Sequence, residues 1–595
     1  MNTPMHRFKY TKLTKDQVAK KLTQTYTGPD CVSEFSNYLA GESIKIINDG
    51  GPVLSYSFSD KNTLKFSEDG STPIETAYGS LELEQMLFFS HMVPGSLKGY
   101  NAFIDLDTNL VTVFEVWFCG GKDSLGQDLD NREAQRQIYF GYVDVPGQPP
   151  PKNRHHSTNR LEGKGMYWKQ DTDVETLEFY SSVISSNFVE LTRHNDNLGF
   201  CSPSDYILIS DNIYIYDRTE CEFSGVMTLY LGEQLSEKQI GVRLGFNEKD
   251  ELEYYMFRGT GKTLGYLTRL EPFNVHGENI NPGMGAVSQE SLKGARTVYR
   301  PGRSFVSMSE EEMHRAAEKS TVSFTWDPDM PEEKGSGTNS VNTPAGGMSV
   351  NTPPMSSILA GKEFLLRYDN NGPVWEYKVE DKRTLYFRKP GESKWLKESY
   401  RAFEIDEDLV FFAHMHSGSR PRKSVKVAVD LTNGLTTCIL SKMGNAYHAN
   451  EISYQVFFGT AELEGVASPR YLRHDFTDEL VGKGFSRTWS DTMTSMHLYT
   501  TPYSASWTIY MEDQSLGMQW SAPCVYVKLR DGVYIFNLHE DAGTANETCV
   551  AINEKNMRVY GFGYFGGKEG VELDVIGSIA RPIGCYDVKG YFGPK

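Results

Sequence analysis

"DGGPVLSYSFSDKNTLKF", residues 49–66, returns as "NNGPVWEYKVEDKRTLYF" at residues 370–387. Working outward, "LFFSHM" (87–92) returns as "VFFAHM" (410–415), and "LEGKG" (161–165) returns as "LVGKG" (480–484). "DNIYIYDRTE" (211–220) comes back as "DGVYIFNLHE" (531–540). The offsets stay between 319 and 323. A repeat that keeps its order and spacing over so long a stretch marks one half of the chain as a duplicate of the other.

A shorter repeat lies inside each half. "LAGE" (39–42), "LEGK" (161–164), "LAGK" (359–362) and "LVGK" (480–483) each open a quarter, and an alternating strand follows about 45–50 residues later. Strand-turn-strand patterns come next, with Asp107-Thr108-Asn109 and Thr432-Asn433-Gly434 as hairpin-closing residues. Quarters of this size, rich in short alternating strands, read as small antiparallel barrels. The expected division is 1–38, an extension with a short helix capped by Thr14 and Gln17; 39–150, barrel 1; 151–276, barrel 2; 277–357, a linker with a short helix capped by Ser309 and Glu312; 358–470, barrel 3; and 471–595, barrel 4. The Gly/Ser/Pro/Thr-rich run at 333–357 is expected to be a mobile linker.

Composition narrows the partners. Net charge is −18, and the short basic stretches "KNRHH" (152–156) and "PRK" (421–423) make no extended basic surface, so nucleic acid is not expected. The eight cysteines show no zinc-like spacing and do not recur between the halves, which predicts free thiols in a reducing compartment. Neither a membrane-length apolar run nor a signal-like N-terminus is present, so the reading is cytoplasmic, with no membrane partner. P-loop, dinucleotide and G-x-S-x-G signatures are absent, and "GTGKTLG" (259–265) has the wrong spacing for a phosphate loop.

The segments "LRHDFTDELVGKGFSRTWSDTMTSMHLY", "YVKLRDGVYIFNLHE" and "GFGYFGG" resemble the C-terminal half of the MoaF family. The first half shows the same pattern more faintly in "RHHSTNRLEGKGMYW" and "YILISDNIYIYDRTE". "GPVWEYKVEDKRTLYF" and "YRAFEIDEDLVFFAHM" look like that family's N-terminal half. The chain thus resembles two fused MoaF-like units. The resemblance implies a mainly β fold of four calycin/lipocalin-like antiparallel β-barrels, two per unit. It also implies either a link with molybdenum cofactor biosynthesis or, from relatives beside natural-product genes, cofactor-free transformation of small organic molecules.

Strand alternation sorts the candidate site residues. Aligning the quarters puts His91, Asp217, His414 and Asn537 in one column, each ending an apolar stripe. That column is either a hydrogen-bonding strand end or a polar group at the mouth of an apolar cup. The other face of the second-quarter strand carries Tyr214, Tyr216, Arg218 and Glu220, which together can hold a carboxylate or phenolate and move a proton. These residue types resemble the working set of cofactor-free phenolic acid decarboxylases. In the fourth quarter that face reads Tyr534, Phe536, Leu538 and Glu540. His155 and His474 precede their Leu-x-Gly motifs, as hinges or site residues, and Tyr56 and Tyr377 are pocket-lining candidates or core. His414 and His416 form an H-x-H that the first half lacks, so no metal site is expected.

The expectation is an enzyme without cofactor, a lyase or isomerase (cyclase) of specialised metabolism working by acid/base chemistry on an apolar or aromatic small molecule. The alternative is a non-catalytic carrier, and an accessory role in molybdenum-cofactor handling ranks below both. The halves are expected to pair either as a homodimer or as a pseudo-dimer within one chain.

Overall fold

The computed structural model describes residues 13–22, 34–118, 131–132, 134–181, 185–192, 197–220, 226–247, 249–268, 321–324, 348–419, 422–443, 452–490, 493–511, 518–539, 546–567 and 570–593. Strands dominate, and they form four antiparallel meanders of eight strands each. The first runs from Ser43–Asn48 to Gln135–Val143, the second from Lys164–Gln170 to Leu252–Tyr266. The third runs from Glu363–Tyr368 to Ile452–Glu462, and the fourth from Lys483–Ser490 to Gly570–Cys585. In every one the first strand pairs antiparallel with the last, as in a closed up-and-down barrel.

Barrels 3 and 4 close completely, through one unbroken fourth strand in each, Leu396–Asp406 and Met518–Arg530. In barrel 1 that strand is divided at Tyr78 into Ile74–Ala77 and Gly79–Leu83, and in barrel 2 at residues 204–205 into Phe200–Pro203 and Tyr206–Leu208. Each half-strand still pairs with its own neighbour, so the wall bends at the break and does not end there.

The Leu-x-Gly motifs are turns. Gly41, Gly163, Gly361 and Gly482 all have φ between +77° and +89°, where a side chain is strained. At Gly163 and Gly482 a Cβ would also sit 2.5 Å from the Leu267 carbonyl oxygen and 2.4 Å from that of Tyr586. Glycine there allows the end of the last strand to lie against the start of the first. The hairpin residues behave as expected too: Asn109 and Gly434 take positive φ, while the Asp105 and Asp430 carboxylates accept hydrogen bonds from Thr108 and Thr432.

Because the barrels pack wall to wall, both faces of many strands are buried. Phe88, Phe103 and Phe114 on the outside of barrel 1 share one core with Ile215, Leu229 and Val242 on the outside of barrel 2. Phe411 and Ala428 of barrel 3 meet Ile535 and Phe562 of barrel 4 in the same way. Barrels 2 and 4 then join the halves: Gly199 N–H donates to Ser504 Oγ (2.6 Å), and the Tyr586 hydroxyl donates to the Gly163 carbonyl (2.8 Å).

The helix expected near the N-terminus is Lys15–Lys21, with the Thr14–Gln17 capping box formed in both directions. The Ser309–Glu312 helix lies outside the described residues. The described end of the expected mobile linker is docked instead. The Met348 carbonyl accepts from Gly577 N–H, and Ser349 Oγ donates to the Val575 carbonyl (2.9 Å), both on barrel 4. A further strand, Thr321–Ser323, pairs in parallel with Gly570–Cys585. Polar linker composition did not prevent this docking, because the backbone groups find partners on the outer strand of the barrel.

Candidate functional site

The expected column of four polar residues does not form one kind of place. His91 and His414 point into barrels 1 and 3, among the inward-facing residues Phe89 and Phe412. Asp217 and Asn537 share the outward face of their strands with Ile215 and Ile535, which pack against the neighbouring barrel. Matching the segments by their apolar stripes was out of phase by one residue, and such a slip exchanges the two faces of a strand. Asp217 instead meets Arg136 of barrel 1, which also holds Asp205 at 2.9 Å. That is an inter-barrel ion pair, remote from any cup.

The two inward histidines are locked. His414 Nδ1–H donates to the Met415 carbonyl (2.7 Å), which leaves Nε2 to accept from the Tyr377 hydroxyl at 3.0 Å. His91 repeats this with Met92 and Tyr56, at 3.3 and 3.2 Å. Burial pushes His91 down to about 4 and His414 to about 3, so both rings are neutral. Tyr56 and Tyr377 therefore serve as hydrogen-bond donors to core histidines.

His155 and His474 lie where one barrel hands over to the next. Their Nδ1 atoms bond Thr112 and Thr437, at 2.9 and 2.8 Å, on the preceding barrel's wall. This places both histidines at the junction between consecutive barrels.

The inward face of barrel 2 is where ionisable groups meet. Tyr214, Tyr216, Arg218 and Glu220 do share it, together with Trp168, Tyr180, Tyr206, Tyr230 and Phe257. Tyr216 stacks on Tyr230 with ring centroids 4.4 Å apart. Six residues of strand, roughly 20 Å, separate Tyr214 from Glu220, so these two cannot act on one atom. Tyr214 instead closes the far end, donating to the Asp211 carbonyl at 3.0 Å.

At the charged end, Arg218 reaches two carboxylates. Its Nη1 bonds Glu178 Oε1, and its Nη2 bonds Glu220 Oε1 at 3.0 Å. Arg243 clamps Glu220 with both terminal nitrogens, at 2.6 and 2.9 Å. Burial would raise the Glu220 carboxyl, yet the two guanidiniums outweigh it and hold the group well below the usual range. Glu178 fares differently. Burial pushes it up to about 7; Arg218 opposes that shift, while the negative charges of Glu220 and Glu190 add to it. Among the described residues its Oε2 has no hydrogen-bond partner. Glu220 is thus held in the anionic form by its two guanidiniums, while Glu178 is the carboxyl that burial pushes towards neutral pH.

Glu178 was not singled out from the sequence. "ETLEF" offers two glutamates and little apolar contrast, and only the pairing of strands shows that Glu178 points inward while its neighbour Leu177 packs outward against barrel 4. In barrel 4, Phe536 is inward and buried, and Tyr534 donates from the barrel end to Glu479 Oε2 (2.7 Å). Glu540 lies outside the described residues. The five described cysteines, 201, 438, 524, 549 and 585, are free thiols, and no described helix is long and apolar enough to cross a membrane.

Eight-stranded antiparallel meanders with apolar, aromatic interiors define a chain of lipocalin-like barrels. Residues 339–445, most of barrel 3, match the family model of the MoaF N-terminal domain. A solved structure of a protein of unknown function from the DUF3598 family of Nostoc punctiforme is also similar. Its identity is 12%, over 37% of this chain and 93% of that one, with a TM-score of 0.16.

Proposed function

We propose that barrel 2 is the chemical centre of a cofactor-independent enzyme that moves protons on an apolar or aromatic small molecule. The observation that carries this reading is the Glu178–Arg218 pair: a buried carboxyl near pKa 7 beside a fixed cation, among stacked tyrosines. A group titrating at working pH is suited to be general acid or base, because both protonation states are populated. Arg218 would hold a carboxylate or phenolate and stabilise negative charge as it develops. Dehydration, decarboxylation, isomerisation and cyclisation all need these two functions and no redox group. Arg243 and Glu220 serve as the frame that keeps Arg218 charged and placed.

The test is to incubate small-molecule extract from cells that produce the protein with wild type and with Glu178→Gln, and to follow every component by mass spectrometry. Conversion of a compound by wild type, slowed about 10²–10⁴-fold in the variant, supports the reading. Return of every bound compound unchanged would make the protein a carrier instead, the role that the aromatic interiors of all four barrels also suit.

A further inference from the structure

Among the described residues, barrel 4 contains an arginine without a counter-ion. Arg487 lies in the strand Lys483–Ser490 with its side chain fully buried. Among the described residues its one hydrogen-bond partner is the Tyr499 hydroxyl, through Nη2, while Nε and Nη1 have none. The rings of Tyr499 and Phe536 also lie beside it, at 5.8 and 5.6 Å. A guanidinium cannot shed its proton to escape burial, so an unpaired one destabilises the fold unless something anionic joins it.

The groups beside it are also short of acceptors. His497 Nε2 bonds Ser495 Oγ at 2.8 Å, and the Trp489 indole N–H donates to the same oxygen at 2.7 Å. That oxygen accepts from Trp489; the arrangement that also uses its own hydrogen gives it to His497 Nε2 and puts the ring proton on Nδ1, which is buried and has no partner among the described residues. Arg487 lies close enough to depress the His497 pKa further, in addition to the effect of burial. The spare hydrogen-bonding capacity here is donor capacity.

Comparison with barrel 2 explains the shortage. Tyr180 and Tyr499 occupy the same place, each with its carbonyl accepting from the motif glycine, Gly163 or Gly482. Counting back along the same strand, His497 stands where barrel 2 has Glu178, and Leu538 stands where it has Arg218. Arg487 in turn replaces Trp168. Barrel 4 has moved its cation to a different strand and has a histidine in place of one of the two carboxylates that Arg218 meets; the counterpart of the other, Glu540, lies outside the described residues.

We propose that barrel 4 binds a small aromatic or apolar carboxylic acid, whose carboxylate is held by Arg487 and His497 and whose body lies against Tyr499, Phe536 and Trp489. The ligand carboxylate takes the place that the Glu178 carboxyl holds in barrel 2. This site is separate from the proposed chemistry of barrel 2 and stands if that chemistry fails.

The test uses the full chain, cinnamate and its neutral isostere cinnamamide, with tryptophan fluorescence and calorimetry as readouts. Wild type should bind cinnamate at least about tenfold more tightly than cinnamamide, since a charge-assisted contact is lost in the amide. Arg487→Met should abolish that preference while raising the melting temperature of the unliganded protein, because it removes an unpaired buried charge. His497→Phe should weaken cinnamate binding and leave cinnamamide binding unchanged, which keeps the proposal testable if the arginine variant does not fold. Equal affinity of wild type for acid and amide, no binding of either, or a preference that survives both substitutions would overturn the proposal.

Discussion

The Tyr377 hydroxyl donates to His414 Nε2 at 3.0 Å inside barrel 3, and Tyr56 does the same to His91 at 3.2 Å in barrel 1. These pairs are internal struts. Tyr377→Phe removes the donor and leaves Nε2 buried and unpaired, which should cost about 1–3 kcal/mol in urea unfolding. Replacing both partners, as Tyr377→Phe with His414→Phe, should recover part of that loss. Conversion of a substrate by barrel 2 should survive both changes, and its loss would return these histidines to the catalytic set.

Four buried histidines make the fold sensitive to acid. His91 and His155 are held down at about 4, His414 at about 3 and His474 at about 4, against about 6.5 in the unfolded chain. Depressed folded values mean that the unfolded state binds more protons below pH 6.5. Their stabilisation is therefore complete above that pH and is lost as pH falls towards 4. Unfolding free energy should drop by a few kcal/mol per histidine over this window. His91→Gln should flatten the slope, and an unchanged slope would show that the ring is not buried neutral.

Asp217 pairs with Arg136 across the barrel 1–barrel 2 contact. Asp217→Asn should lower the melting temperature, by less than the roughly 3–5 kcal/mol of a fully broken buried pair, because Asp205 still faces Arg136. At a temperature where the variant is folded, kcat for barrel 2 chemistry should stay close to wild type. A large loss of kcat in the folded variant would instead restore Asp217 as a catalytic group.

The glycine motifs separate steric from conformational need. Gly361→Ala meets open space and should cost about 1 kcal/mol for its positive φ alone. Gly482→Ala adds the clash with the Tyr586 carbonyl and should be several-fold worse in thermal unfolding. Equal effects at the two positions would mean that the strand end does not press on Gly482.

These cases mark what was legible in the sequence. The fourfold strand pattern, the Leu-x-Gly turns and the Tyr-Tyr-Arg-Glu face could be read because each is local: a period, a turn residue, an alternation within one strand. Which face was inside could not be read, since wall-to-wall packing buries both faces and erases the apolar–polar contrast that normally sets the phase. Asp217 was therefore placed with His91, though they occupy opposite kinds of surface. Glu178 and Arg487 were invisible for a related reason. Their meaning comes from partners 40 residues away in one case and from a missing partner in the other.

Glu178 offers the most direct test, because it needs no substrate. Its folded value of about 7 lies above that of an unfolded glutamate, so the folded state holds the extra proton between about pH 4.5 and 7. The stabilisation from that proton is full below the unfolded value and is lost as pH rises through 7. Glu178→Gln, a permanent neutral mimic, should match wild type near pH 5 and become the more stable protein at pH 8, by an amount on the order of 2 kcal/mol. Where a substrate is in hand, log kcat/KM should bend near pH 7 in wild type, and the bend should vanish in the variant. A stability difference that does not change with pH would show that Glu178 stays ionised throughout. It would then act as a fixed partner of Arg218, and the proton-transfer role would pass to another group.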